Sequence, residues 1–124
     1  MLGSDNVIAI IPTQDYEQAI EFYVNVLGLE FVEDREYAVV LKANGVTVRL
    51  ALAPEYEPSQ FPLVGWKVKD IENKVKELTE RGVEFERLDV EGQDDGGVLL
   101  VPDGTKVAMF RDPDGNLLVL SEGD

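Results

Sequence analysis

Asp15-Tyr16-Glu17 and Asp70-Ile71-Glu72 stand 55 positions apart, and each has the same sequel: Gly28-Leu29-Glu30-Phe31 after the first, Gly82-Val83-Glu84-Phe85 after the second. An aspartate just before an apolar-periodic run acts as a helix N-cap, because its carboxylate accepts from the free N–H groups of the first turn. A glycine just past the run supplies the left-handed residue that closes a helix. Between these marks apolar residues fall at helical spacing. They are Tyr16, Ala19, Ile20, Tyr23, Val26 and Leu27 in the first copy, and Ile71, Val75 and Leu78 in the second. Gln18, three residues after Asp15, gives the first cap the pattern of a capping box.

Strands flank both helices. Residues 7–11 are a β-branched run that Pro12 ends, and residues 63–68 hold the same place before the second helix. After the first helix come a strand at 29–32, a polar turn at 33–36 and a strand at 37–41. Asn44-Gly45 is then a two-residue hairpin turn, with residues 46–52 returning. After the second helix come strands at 83–90, 98–101, 105–111 and 116–120. A loop rich in glycine and aspartate (91–97) and two Pro-Asp-Gly turns, at 102–104 and 113–115, separate them. Each half therefore reads strand–helix–strand–strand–strand, and a repeat of this kind governs the fold. The predicted fold is α+β: two βαβββ modules forming a curved mixed sheet around a groove, with the helices outside. Tight turns make most pairings antiparallel. The sequence predicts one domain over 1–124, with module 1 at about 5–53, a proline-punctuated linker at 54–62 and module 2 at about 63–122.

Composition excludes several function classes. The chain of 124 residues has no cysteine and no histidine. Disulfides, thiolate chemistry, histidine-based nucleophilic triads and zinc sites of ordinary composition are thereby removed. Acidic residues number 25 and basic residues 11, for a net charge of −14. Such a chain is repelled by phosphate backbones and anionic membrane surfaces, so neither nucleic acid nor membrane is an expected partner. A cationic ligand would be drawn to it. No stretch approaches the roughly 20 apolar residues of a membrane span. Residues 1–6 lack the basic start and apolar run of a signal peptide, so a cytoplasmic location is expected.

Three segments carry a resemblance to a known family: residues 11–23 with Leu27-Gly28, residues 68–72 through 81–85, and Phe110-Arg-Asp-Pro-Asp-Gly-Asn116. In this order the chain resembles the vicinal oxygen chelate superfamily of glyoxalases, bleomycin-resistance proteins and extradiol dioxygenases. Metal-using members carry a His on the first strand, a Glu on the fourth, a His on the fifth and a Glu on the eighth. Offsets from Asp15, Asp70 and Gly115 put these positions at Ile8, Leu63 and Val119, with the fourth-strand position at or beside Arg49. Three aliphatics and an arginine offer a divalent metal no donor. The expectation is no metal and no cofactor. Pro12 to Asp15, Trp66 and the acidic balance look closest to the bleomycin-resistance type. That resemblance implies a homodimer that sequesters a bulky drug between subunits without chemistry.

Strand alternation sorts the candidate site. Ile8 and Ile10 share one face of the first strand, and Leu63, Gly65 and Lys67 one face of the fifth. Leu117, Val119 and Met109 are expected beside them, with Arg49 and Lys67 as polar contacts for an anionic or carbonyl group. Trp66 falls on the opposite face and reads as core. Tyr37, Tyr56 and Phe61 are expected at the rim. The predicted ligand-binding set is Ile8, Ile10, Tyr37, Arg49, Leu63, Lys67, Met109 and Val119; no catalytic residue is identified. The expected function is metal-independent small-molecule binding, sequestering a drug or metabolite, with a cationic ligand favoured by the net charge. The competing readings are a metal-independent lyase or isomerase of the same superfamily and a dimeric interaction module with an unused groove.

Overall fold

In a computed structural model that describes residues 1–35 and 37–123, the chain divides into two units, Met1–Glu57 and Pro58–Asp124. The first unit opens with a short 3-10 turn, Leu2–Ser4, and then follows the predicted order: β1 (Ile8–Thr13), α1 (Tyr16–Ile20, continued with π-helical winding over Glu21–Val26), β2 (Glu30–Arg35), β3 (Ala38–Ala43) and β4 (Val46–Leu52). Asp15 caps α1, its Oδ1 accepting from the N–H groups of Glu17 and Gln18 at 2.9 and 3.3 Å. The other half of the capping box is replaced, because the Asp15 N–H donates to Thr13 Oγ1. Gly28, at φ +86°, closes the helix. Asn44 and Gly45, at φ 47° and 82°, make the two-residue turn whose twist suits a hairpin.

The first sheet has the order β1-β4-β3-β2, with β1 parallel to β4 and the other pairs antiparallel. Two sequence expectations change here. Pro12 does not end the first strand; it pairs with Ala51, and the strand continues through Thr13. Thr13 turns its backbone to β4, its carbonyl accepting from the Ala53 N–H, so Pro12 faces away from β4 on this outer strand and its missing N–H breaks no ladder. Nor are residues 33–35 a turn. They extend β2 past a bulge between Phe31 and Glu33, and charged side chains suit such an exposed outer strand. Glu36, the end of the expected turn, lies outside the described residues. Ile11, Tyr23, Val39, Leu41 and Leu50 have no solvent exposure and form the core of this unit. Each such side chain contributes about 1.5–3 kcal/mol by leaving water.

The second unit repeats the order: β5 (Val64–Lys67), α2 (Ile71–Glu80), β6 (Leu99–Leu100), β7 (Lys106–Arg111) and β8 (Leu117–Glu122). Its sheet runs β5-β8-β7-β6, again with one parallel pair. Asp70 caps α2, and Ile71, Val75 and Leu78 are its buried stripe, packed toward β7 and β8. Trp66, half-buried, stacks on Phe110 with centroids 6.4 Å apart, which puts it on the helix-packed side as its strand parity requires. The expected strand at 83–90 is absent. Only Phe85 bridges to Phe110 and Glu86 N–H donates to the Met109 carbonyl; the chain then leaves the sheet and returns at Leu99–Leu100. Polar and glycine positions organise the excursion. Asp94 Oδ1 accepts from the N–H groups of Gly96, Gly97 and Val98, and Gln93 bridges Leu88 N–H to the Glu86 and Gly97 carbonyls. These side chains satisfy backbone groups that a ladder would otherwise have satisfied.

Candidate functional site

Alternation gives each sheet a helix-packed face and an open face. In the first sheet Ile11, Val39, Leu41, Val48 and Leu50 are buried on the helix side. The other side carries Ile8, 38 % exposed, and Ile10, 54 % exposed. The register lines Ile10 up with Arg49 on β4, and Arg49 with Val40 on β3. One row down, Ile8 stands opposite Thr47, and Thr47 opposite Lys42. Ile8, Ile10 and Arg49 are thus brought together on one surface. Val40, Lys42 and Thr47 share that surface and escaped the sequence reading. The Asn44-Gly45 turn held the signal, since a two-residue hairpin dictates Ala43 opposite Val46 and every pair behind it.

Tyr37 sits apart from that row. It lies one residue before β3, not inside the expected strand at 37–41, and is 82 % exposed. Tyr56 is half-buried in the connector, where its carbonyl accepts from Gln14 Nε2 and its N–H donates to the Ala53 carbonyl.

In the second sheet the open face holds a row of Gly65, Val119 and Met109 and a row of Lys67, Ser121 and Val107. Leu63 precedes β5 and extends the ladder, its N–H donating to the Leu117 carbonyl. Gly65 leaves no room for a side chain: a Cβ there would come 2.6 Å from Val119 Cγ1. Phe61 is an exposed connector residue. Arg111 lies on this face too, with every arm engaged: Nε to Glu86 Oε1 at 3.1 Å, Nη1 to the Gly115 carbonyl and Nη2 to Gln60 Oε1. Beside it, buried Asp112 accepts from the N–H groups of Asp114 and Asn116 and from Asn116 Nδ2, so the second Pro-Asp-Gly turn is tied down from inside.

The two registers correspond. Ile10 and Gly65 each stand five residues before their helix cap; Arg49 is the strand partner of the one and Val119 of the other. Arg49 is therefore the β4 counterpart of Val119. Among the described residues no three Asp or Glu side chains gather to hold a metal ion. The side chains of Ile8, Arg49, Leu63 and Val119 carry no oxygen, imidazole or thiolate donor for a divalent metal.

Perturbed titration lies on the helix side of the second unit. Lys106 Nζ donates to Glu72 Oε2 at 2.7 Å. That hydrogen bond holds the Glu72 carboxyl below its ordinary range and the Lys106 ammonium above its own. Asp103 is likewise lowered, by the Thr105 N–H that it accepts. No helix among the described residues is long and apolar enough to cross a membrane.

A family model described as "Glyoxalase/Bleomycin resistance protein/Dioxygenase superfamily" matches residues 6–120. No curated protein matches the sequence. Among solved structures, a member of that superfamily from Sphaerobacter thermophilus shares 30 % identity at a TM-score of 0.78, covering 99 % of this chain and 100 % of that one. The bleomycin resistance determinant encoded on the transposon Tn5 shares 21 % identity at 0.76, covering 98 % and 99 %. An antibiotic binding protein from Streptomyces sp. CB03234 shares 23 % identity at 0.71, covering 100 % and 99 %.

Proposed function

We propose that this chain, which belongs to the glyoxalase/bleomycin resistance protein/dioxygenase superfamily, is a metal-independent small-molecule binding protein. The observation that carries the reading is the exposed apolar face of the first sheet, where Ile10 is 54 % exposed directly beside a half-buried arginine. Apolar surface with a few convergent polar groups is the usual composition of a small-molecule site. Gly65, Leu63, Lys67, Met109 and Val119 offer a second surface of that character. The bleomycin resistance determinant and the antibiotic binding protein among the fold's neighbours support the same reading. Aliphatic side chains and an arginine in place of the superfamily's metal donors support metal independence. The resemblance further supports a homodimer.

The test is a thermal-shift screen of amphipathic aromatic compounds, bleomycin among them, and of small carbonyl compounds, in buffer containing a chelator. A ligand at 100 times its Kd stabilises the fold by about 2.7 kcal/mol, which a melt resolves easily. The expected result is such a shift with no product formed. Stoichiometric nickel, zinc, iron or manganese retained after dialysis would overturn the metal-independent part. Product formation would move the chain to the enzymes of the superfamily.

A further inference from the structure

Three basic residues are half-buried: Arg49, Lys106 and Arg111. Lys106 is paired with Glu72, and Arg111 with Glu86. The Arg49 guanidinium has no carboxylate and no other hydrogen-bond acceptor among the described residues. This occurs in a chain with 25 acidic residues to 11 basic ones, where a counter-charge is the easiest partner to supply. A guanidinium stays charged at every accessible pH, so it cannot escape partial burial by losing its proton. Removing it from water without a partner is unfavourable. Its strand neighbours deepen the contrast, with Ile10 on one side and Val40, 7 % exposed, on the other. A planar fork of donors set in an apolar surface matches a carboxylate or sulfonate carried on an apolar body.

We propose that Arg49 docks the acidic group of an amphipathic organic anion whose apolar part lies on Ile8 and Ile10. The inference rests on the ligand-binding reading above and fixes the charge of the ligand. The net charge of −14 does not oppose it at physiological ionic strength, where charges beyond about 8 Å are screened and the adjacent guanidinium dominates.

The experiment is isothermal titration of the full chain at 0.15 M salt with three probes of one shape: 2-naphthoate, 2-naphthamide and 2-naphthylmethylammonium. The anion is expected to bind about tenfold tighter than the neutral amide, as a charge-assisted hydrogen bond implies, and the cation weakest. Arg49→Gln should erase the preference for the anion, and Arg49→Lys should keep part of it. Ile10→Ser should weaken all three probes. Equal affinities, or a preference for the cation, would overturn the anion assignment while leaving ligand binding intact. A preference that survives in Arg49→Gln would overturn the role of Arg49. No binding by any probe would overturn this inference and the binding function of the face together.

Discussion

The outer strand of the first sheet is continuous, and that of the second is broken. In the first, Phe31 pairs with Leu41 and the strand runs on through a bulge to Arg35. In the second, Phe85 pairs with Phe110 at the corresponding place, and the chain then departs before returning as Leu99–Leu100. Phe31 and Phe85 hold the same position after their helix-closing glycines, so the two copies match there, although the first helix segment is one residue longer than the second between cap and glycine. The difference lies in the length of chain that follows. Ten positions separate Phe31 from Leu41, enough for a hairpin and little else, whereas 25 separate Phe85 from Phe110. The extra chain makes its own hydrogen bonds, around Asp94 and Gln93, instead of a ladder. Topology here follows from the repeated caps and core positions, while the outer strand is open to local revision.

The largest expected effect tests whether the broken edge is held by its aromatic contact. Phe110 has no solvent exposure and lies 5.3 Å from Phe85 and 6.4 Å from Trp66, centroid to centroid. Phe110→Ala should cost about 3–5 kcal/mol in chemical denaturation, with loss of hydrogen-exchange protection at Glu86 N–H. Leu41→Ala, its counterpart, should cost about 2–5 kcal/mol while β2 stays protected, because β2 also has its own ladder to β3. Equal loss of protection at both edges would show that the split strand is as strongly anchored as the continuous one.

A middle-sized effect sharpens the comparison of open faces. Gly65→Ala sets a methyl 2.6 Å from Val119 Cγ1 and should cost about 1–3 kcal/mol. Ile10→Ala, at the corresponding position of the first sheet, removes exposed atoms and should stay within about 0.5 kcal/mol. Adding Val119→Ala to Gly65→Ala should recover much of the loss in a double-mutant cycle. Additivity in that cycle would mean that the glycine is required for some reason other than Val119.

These particulars show where the sequence was legible. Both N-cap aspartates, both closing glycines and the Asn44-Gly45 turn were readable, because each answers a local backbone requirement. Parity alone put Trp66 on the helix-packed side, where it stacks on Phe110 although it stays half-buried. The strand through Pro12 was hidden, because a proline is excluded only where its N–H would face a paired strand, and that facing cannot be read from the segment itself. The segment 83–90 has strand-like residues at its start, but pairing is non-local, and nothing within the segment states how much chain intervenes before β7. For the candidate site, Ile8 and the neighbourhood of Arg49 came from the family resemblance, and Ile10 followed from Ile8 by alternation. Arg49's lack of a partner did not, because finding a counter-charge depends on three-dimensional neighbours and not on spacing.

The smallest expected effect concerns an ion pair that one unit has and the other lacks. Glu72 in the first turn of α2 is held by Lys106. At the corresponding positions of the first unit stand Glu17 and Tyr37, which cannot form an ion pair. Glu72 is lowered from 4.5, so the folded state binds its proton less readily than the unfolded chain does. Its contribution to stability is present above pH 4.5 and is lost as pH falls through the lowered folded value. Lys106 is raised from 10.5, so its contribution holds below that pH and disappears only as pH climbs through the raised value. Between these limits the pair is intact, and its effect is small because the side chains are 36 % and 48 % exposed. Urea midpoints of Glu72→Gln and the unaltered chain should differ slightly at pH 6 and converge well below pH 4.5. Glu17→Gln should show no such convergence, having no ion pair to lose. A Glu72→Gln difference that persists unchanged into acid would assign the effect to helix capping or packing, and the electrostatic contrast between the two units would fall.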